Sequence, residues 1–368
     1  MSQLVFERSE GAALIKGSEI FTSFCSTDFL GFSQDNRVFQ AVRDGLSREN
    51  ELLTGRRDTC GARPYHQRLA KGVSAFRASE EARLFSSFEE MLFALISNSK
   101  QAFYSNVFIS SSIQRQVCEG FSFAGLELSN FDSAEPDQLE EKLSRVQNSE
   151  IDRKVLVLIE SLSPINGRVA PLRAFLKVCE KAQATMLVDD SFGLGVLGLL
   201  GSGGLEKAGI LDEGVTSFFD FKHTLGSVGA AVVGSRLEVE GLLGEEKDAY
   251  LLPLYSVYGV EAALELTELE VRSRSKLRAK ALRVRDGLIS MGLRVEGDPV
   301  SPVILIKLED PLIISEIVRG LFERKIVVDK DSSGVRIVIR SIHTPALITA
   351  LLQAVDDVGK KLGLISSL

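Results

Sequence analysis

Histidine is scarce in this 368-residue chain: His66, His223 and His343 are all there is, and they stand far apart. Nothing in that spacing offers a histidine metal cluster. Cysteine is scarce too, with Cys25, Cys60, Cys118 and Cys179 forming no CxxC pair and no short spacing. A disulfide framework is excluded, and reduced thiols in a cytoplasmic protein are expected. Positive charge is in deficit: 43 Lys and Arg against 50 Asp and Glu leave a net charge of -7. That sign argues against nucleic acid or an anionic membrane as the main partner. The one basic run, Arg272 to Arg285, carries Leu277, Leu282 and Val284 at helical spacing and reads as a solvated helix face. No uninterrupted apolar run approaches the roughly 20 residues that span a bilayer. No secretory leader, internal repeat or low-complexity segment is read either.

What remains is the profile of an ordinary globular chain, 45% hydrophobic and 25% charged, long enough for a large core and two domains. Strand and helix signals alternate. Short strands are expected at Ile20 to Phe24, Ala82 to Phe85 and Ala102 to Tyr104. Lys154 to Ile159 and Thr185 to Val188 are apolar almost throughout, as in a buried parallel sheet. Helices are expected at Arg37 to Arg48, His66 to Phe76, Glu90 to Ile96, Ser112 to Glu119, Pro136 to Val146 and Pro171 to Ala184. The fold class is therefore α/β, a large domain with a mostly parallel sheet between helices. A long helical pattern from 256 to 293, interrupted near Ser273, leads to a smaller C-terminal α+β domain. The domain expectation is a lead-in at 1–35, a large domain at 36–250, and a linker helix with the small domain at 251–368.

Ligands in parallel sheets collect at the carboxyl ends of strands. Glu160, Asp189 and the stretch Phe219-Asp220-Phe221-Lys222-His223-Thr224-Leu225-Gly226 all fall there. A lysine at a strand edge, between small residues, is a candidate Schiff-base anchor for an aldehyde cofactor. The competing reading is a hairpin-like connection with an incidental lysine.

Six segments in order decide the matter of family. They are Thr27-Asp28-Phe29-Leu30-Gly31, the loop Gly55 to Gly61 with His66 after it, and Leu84-Phe85-Ser86-Ser87. Then come Val188-Asp189-Asp190-Ser191-Phe192-Gly193-Leu194-Gly195, the 219–229 stretch, and Val335-Arg336-Ile337 with His343-Thr344. Over nearly the whole chain this order resembles the α-oxoamine synthases, which are pyridoxal-phosphate (PLP) enzymes of fold type I. That family condenses an amino acid with an acyl thioester and includes 8-amino-7-oxononanoate synthase and serine palmitoyltransferase.

The resemblance implies roles. Asp189 would pair with the pyridine nitrogen, as a strand-end carboxylate that is otherwise only a cap. Arg336, with Arg57 from the glycine-bearing loop, would hold the substrate carboxylate; otherwise Arg336 is a strand arginine. Ser87 and Phe88, with Glu89 beside them, stand at the phosphate cup, and Glu160 near the ring. Several positions depart from the family. Phe192 replaces the catalytic histidine and Ser110 the histidine that stacks on the ring. Asp220 replaces the phosphate-binding threonine, and Phe88-Glu89 a Gly-aromatic pair. His223 stands where the Schiff-base lysine belongs, with Lys222 one residue early. Neighbouring residues of an extended segment face opposite ways, so Lys222 is expected to point away from the side that His223 faces. An anionic Asp220 would repel a phosphate unless Arg56, Arg57 or Arg63 neutralises it.

Two readings follow. One is a degenerate homologue with reduced or lost PLP catalysis, acting as a dimer partner or ligand-binding protein. The other is an active PLP-dependent C-acyltransferase that uses Lys222. A homodimer is expected from the resemblance, with a catalytic partner subunit as a further possibility. Tyr250, Tyr255 and Tyr258 read equally as interface or core aromatics.

Overall fold

The structure is a computed structural model and describes residues 5–51, 55–101, 104–147, 154–244 and 250–366. The chain forms two compact units. The larger comprises Asp35–Pro164 and Val169–Val271. The smaller comprises Met1–Gln34, Ile165–Arg168 and Arg272–Leu368.

A seven-stranded sheet organises the larger unit. Its strands are β1 (Glu81–Phe85), β2 (Tyr104–Ser110), β3 (Glu127–Phe131), β4 (Lys154–Glu160), β5 (Thr185–Asp189), β6 (Thr216–Asp220) and β7 (Ala230–Gly234). Across the sheet they run β1-β7-β6-β5-β4-β2-β3. Pairs from β6 through β3 are parallel, and β7 runs against both of its neighbours.

The strands hold their places because both faces are covered. Leu156, Leu158, Leu187 and Phe218 pack on one side with Met91, Leu95, Val117, Phe121 and Leu242. Val157, Ile159, Met186 and Val188 pack on the other with Leu139, Leu143, Phe175 and Leu205. The alternation is the two-residue period of a pleated strand, apolar on both phases. The register sets the site. Glu160 pairs across from Asp189, and Asp189 from Phe218. Asp220 lies two residues beyond Phe218, so Glu160, Asp189 and Asp220 share one face at the carboxyl ends of three adjacent strands.

Helix Asn36–Glu49 lies against helix Leu254–Leu269, where Gly45 gives room to Tyr258. The Tyr258 hydroxyl donates to Glu49 at 2.8 Å. The expected helix at Ser112 to Glu119 begins later, at Arg115, and runs to Phe123. The expected strand at Ala102 to Tyr104 starts at Tyr104 and continues to Ser110. Ala102 and Phe103 lie outside the described residues.

The smaller unit carries two sheets. Arg8–Glu10, Ala13–Lys16, Glu19–Ser23 and Ile326–Val327 form one, and Val295–Glu296, Val303–Lys307, Gly334–Val338 and Asp329–Asp331 the other. Asp28 and His343, both from the sequence motifs, are structural here. The Arg340 guanidinium donates to the Asp28 carbonyl at 3.0 Å and to its carboxylate at 3.1 Å. The His343 ring accepts from the Arg340 amide at 2.9 Å, lies 2.8 Å from the Ser23 carbonyl and stacks on Phe24. Burial holds it neutral, with its pKa lowered to about 4. Arg336 is paired with Asp329 of the adjacent strand, the partner that the register sets across from it. Among the described residues no helix is long and apolar enough to cross a membrane.

Candidate active site

The carboxyl ends of β4, β5 and β6 bring Glu160, Asp189 and Asp220 onto one face. Each is almost fully buried. Asp189 accepts from the Ser191 amide at 3.0 Å and from Gln114 Nε2 at 2.9 Å. Burial nevertheless pushes its carboxyl up to about 7. Glu160 takes the Ser112 hydroxyl on one oxygen, and Ser112 in turn meets Ser133 at 3.0 Å and Ser110 at 3.4 Å. Its other oxygen, Oε2, is buried and has no hydrogen-bond partner. Burial raises its pKa, and the Glu160 charge in turn raises that of Asp189. Asp220 follows the same direction, again chiefly through burial, with Glu89 adding to it.

After Asp220 the chain leaves the ladder and returns by Gly229. Phe221 turns into the core, and its amide donates to the Gly229 carbonyl at 2.9 Å. Gly229 has φ +109, and a Cβ there would meet the Phe85 carbonyl oxygen at 2.8 Å, so only glycine fits the return. Lys222 then faces solvent with 60% of its side chain exposed, its ammonium 3.5 Å from the Asp220 carboxylate. His223 turns inward, 14% exposed, and stacks on Phe192 with ring centroids 4.2 Å apart. Its Nε2 lies 3.9 Å from Asp220. Thr224 fastens the segment by donating to the Leu194 carbonyl at 2.7 Å.

The turn from β1 into helix Phe88–Gln101 is closed by its own side chains. Ser87 Oγ accepts the Glu90 amide at 3.1 Å, an N-cap that follows from its position. The Glu90 carboxylate accepts the Ser86 amide at 3.0 Å and hydroxyl, and its second oxygen takes the Tyr250 amide at 2.7 Å. Phe88 is buried in the core. Gly55 is tied to the same place, since its carbonyl accepts the Leu251 amide at 3.3 Å. His66 is a staple, with one ring nitrogen on the Arg63 amide and the other 2.8 Å from the Leu252 carbonyl. Asp220 has its charge partners at its own strand end, whereas Arg63 lies against Glu51 at 3.4 Å. The Arg57 side chain lies outside the described residues.

One supporting pair escaped the sequence reading. Arg77 and Asp190 form a fully buried ion pair at 2.7 Å. Asp190 also accepts the Gly204 amide at 2.9 Å, and Arg77 donates to Ser217 at 2.9 Å. Gly193 and Gly203 make room: a Cβ at either would lie 2.1 or 2.2 Å from an Asp190 oxygen. The pair fixes the chain on both sides of Asp189 and Ser191. The doubled aspartate was its visible half; an arginine 113 residues upstream leaves no local signal.

Residues 19–355 match the family model described as aminotransferase class I and II. The chain belongs to that family. Similar proteins include 8-amino-7-oxononanoate synthase of Thioalkalivibrio sulfidiphilus, 27% identical over 93% of this chain and 89% of the relative. The 8-amino-7-oxononanoate synthase 2 of Bacillus subtilis is 25% identical over 94% and 90%. Among solved structures, serine palmitoyltransferase of Sphingomonas wittichii superposes with a TM-score of 0.87 at 20% identity, over 98% of this chain and 93% of the other. The α-oxoamine synthase resemblance therefore holds, and with it the fold type I architecture of a PLP-dependent transferase family.

The residues present fit that cofactor at one point and fail at two. Asp189 stands at a strand end where a ring nitrogen could meet it. Where the resemblance expects the anchor, however, an imidazole stacked on Phe192 cannot form an aldimine, and the adjacent Lys222 is largely exposed with its amine paired to Asp220. At the phosphate position, a buried carboxylate, Asp220, lies within range of the Glu89 charge. A dianionic phosphate set there would face repulsion. The Ser86 and Tyr250 amides at the turn into helix Phe88–Gln101 are taken by Glu90.

Proposed function

We propose that this chain is an α-oxoamine synthase homologue that keeps the family scaffold and has lost the family's Schiff-base chemistry. The observation that carries this reading is the setting of two neighbours: His223 is 14% exposed and stacks on Phe192, whereas Lys222 is 60% exposed and its ammonium is paired with the Asp220 carboxylate at 3.5 Å. The acidic phosphate position and the substitution of Phe192 point the same way. The chain then acts as a cytoplasmic homodimer or as the non-catalytic partner of a subunit with a complete site, binding a small molecule without turning it over. The working acyltransferase, joining an amino acid to an acyl thioester through Lys222, is the reading that the test must exclude.

The test is a spectral titration of the full chain with PLP, followed by borohydride reduction and peptide mapping. No visible aldimine band, and reduction scattered over surface lysines, is the expected result. A saturable band with the label concentrated on Lys222 overturns the proposal and makes acyl thioesters the substrates to screen.

A further inference from the structure

We propose that the strand-end row of this site binds a cationic aromatic amine in place of an anionic cofactor. The inference rests on the reading above, that the family's phosphate-bearing cofactor is not held here. The first ground is the sign of the groups. Glu160, Asp189 and Asp220 share one sheet face on neighbouring strands, and Glu89 adds its charge to Asp220. Against these four acids, among the described residues, stands Lys222, whose side chain lies mostly in solvent and whose ammonium pairs with Asp220. The Ser86 and Tyr250 amides at the turn into helix Phe88–Gln101 are spent on Glu90. Such a site discriminates against negative ligands before any contact is made.

The second ground is independent of charge. Glu160 is 2% exposed, and its Oε2 has no hydrogen-bond partner although Oε1 takes the Ser112 hydroxyl. A buried oxygen left unpaired is costly, and such a gap points to a donor that arrives with a ligand. Gln114 already reaches the neighbouring Asp189, so the row's open position is at Glu160.

Two features narrow the ligand. Among the described residues no group of three His, Cys, Asp or Glu is close enough to hold a metal ion. A cation that suits carboxyl groups on separate strands is an extended one, an organic amine whose donors reach more than one of them. The Phe192–His223 stack stands beside Asp220, and aromatic neighbours of this kind suit a ring that carries positive charge.

Equilibrium dialysis and calorimetry on the full-length protein test this with a matched pair of probes, pyridoxamine and pyridoxamine 5′-phosphate. They share ring and amine and differ by the phosphate. Pyridoxamine is expected to bind about tenfold more tightly than its phosphate ester, the scale of one close repulsive charge pair near a protein surface. Glu160→Gln is expected to weaken pyridoxamine about tenfold, and Asp220→Asn to bring the two probes towards parity. Equal or tighter binding of the ester to the unaltered protein overturns the inference, as does failure of pyridoxamine to bind at millimolar concentration. Those two outcomes need no variant, so a poorly folding one leaves the test intact. Labelling of Lys222 by PLP and borohydride would instead overturn the reading beneath it, which keeps the two failures distinguishable.

Discussion

Asp189 and His343 are both buried, and burial moves them in opposite senses. The Asp189 carboxyl is raised from 3.8 to about 7, so the folded chain holds that proton where the unfolded chain has released it. Its contribution favours folding least above pH 7 and is progressively lost as pH rises from about 4 to 7. The His343 pKa falls from 6.5 to about 4, so its contribution is whole above 6.5 and is lost as pH drops towards 4. Urea unfolding between pH 4 and 8 separates the two. Asp189→Asn should gain on the unaltered protein across pH 4 to 7, by at most about 4 kcal/mol at the upper end. His343→Gln should lose most of its penalty on acidification. A pH-independent difference for Asp189→Asn would mean that the carboxyl is ionised and solvated in the fold. Arg77 and Asp190 pose a different question, because they form a fully buried ion pair. Arg77→Met strands a carboxylate and is expected to cost about 3–5 kcal/mol in the same assay. Adding Asp190→Asn to it should cost less than the sum of the two single changes, since the second charge is then no longer stranded.

Glycines within helices show how elements constrain one another. Gly72 is exposed on helix Pro64–Phe76, and a Cβ there would meet nothing within 4 Å. Gly72→Ala is expected to stabilise by about 0.5–1 kcal/mol, the helix-propensity gain alone. Gly45 has the same local setting in helix Asn36–Glu49, yet its Cβ would lie 2.2 Å from the Tyr258 ring. Gly45→Ala is expected to destabilise by about 1–3 kcal/mol as the helices part. Thermal melts of the two variants, shifted in opposite directions, check both values. The contrast marks what the sequence could disclose. Lys154 to Ile159 and Thr185 to Val188 were legible as buried strands because every position from Val155 on is apolar or β-forming. Strand alternation predicts opposite directions for Lys222 and His223, but the strand ends at Asp220, and it is the irregular turn beyond it that brings His223 inward and leaves Lys222 exposed. Glu127–Phe131 was missed because its Glu-Leu-Ser-Asn-Phe run has no strong pattern. The Ser112 helix start was misplaced because Ser112 is drawn to Glu160, 48 residues on. The capture of the Ser86 and Tyr250 amides by Glu90 was equally out of reach, since Glu90 reads simply as a helix residue. Pairings of this kind live in tertiary structure and leave no period in the chain.

At the scale of the whole molecule, the larger unit presents apolar side chains that its own core does not use. Leu199 is 71% exposed and Leu200 54%, and both backbone amides are clamped by one Glu206 oxygen at 2.7 and 2.9 Å. Gly198 and Gly201, each at φ +81, close the turn on either side. A loop fastened this way shows two leucines to solvent at little cost in flexibility, which is the character of an association surface rather than of a loose tip. Tyr250 and Tyr255 on the same unit are exposed as well, while Tyr258 is buried against Gly45. Sedimentation of the unaltered chain is expected to give a dimer at micromolar concentration. Replacing Leu199→Lys and Leu200→Lys together should shift it towards monomer by at least tenfold in dissociation constant, about 1.4 kcal/mol. Because neither leucine is part of the core, circular dichroism of the double variant should keep the spectrum of the parent. A variant that sediments as the parent does would place the interface elsewhere. The tyrosines exposed at 250 and 255 would then be the next pair to change, and loss of the dimer on their replacement would carry the interface to the segment that Glu90 pins beside the strand-end row.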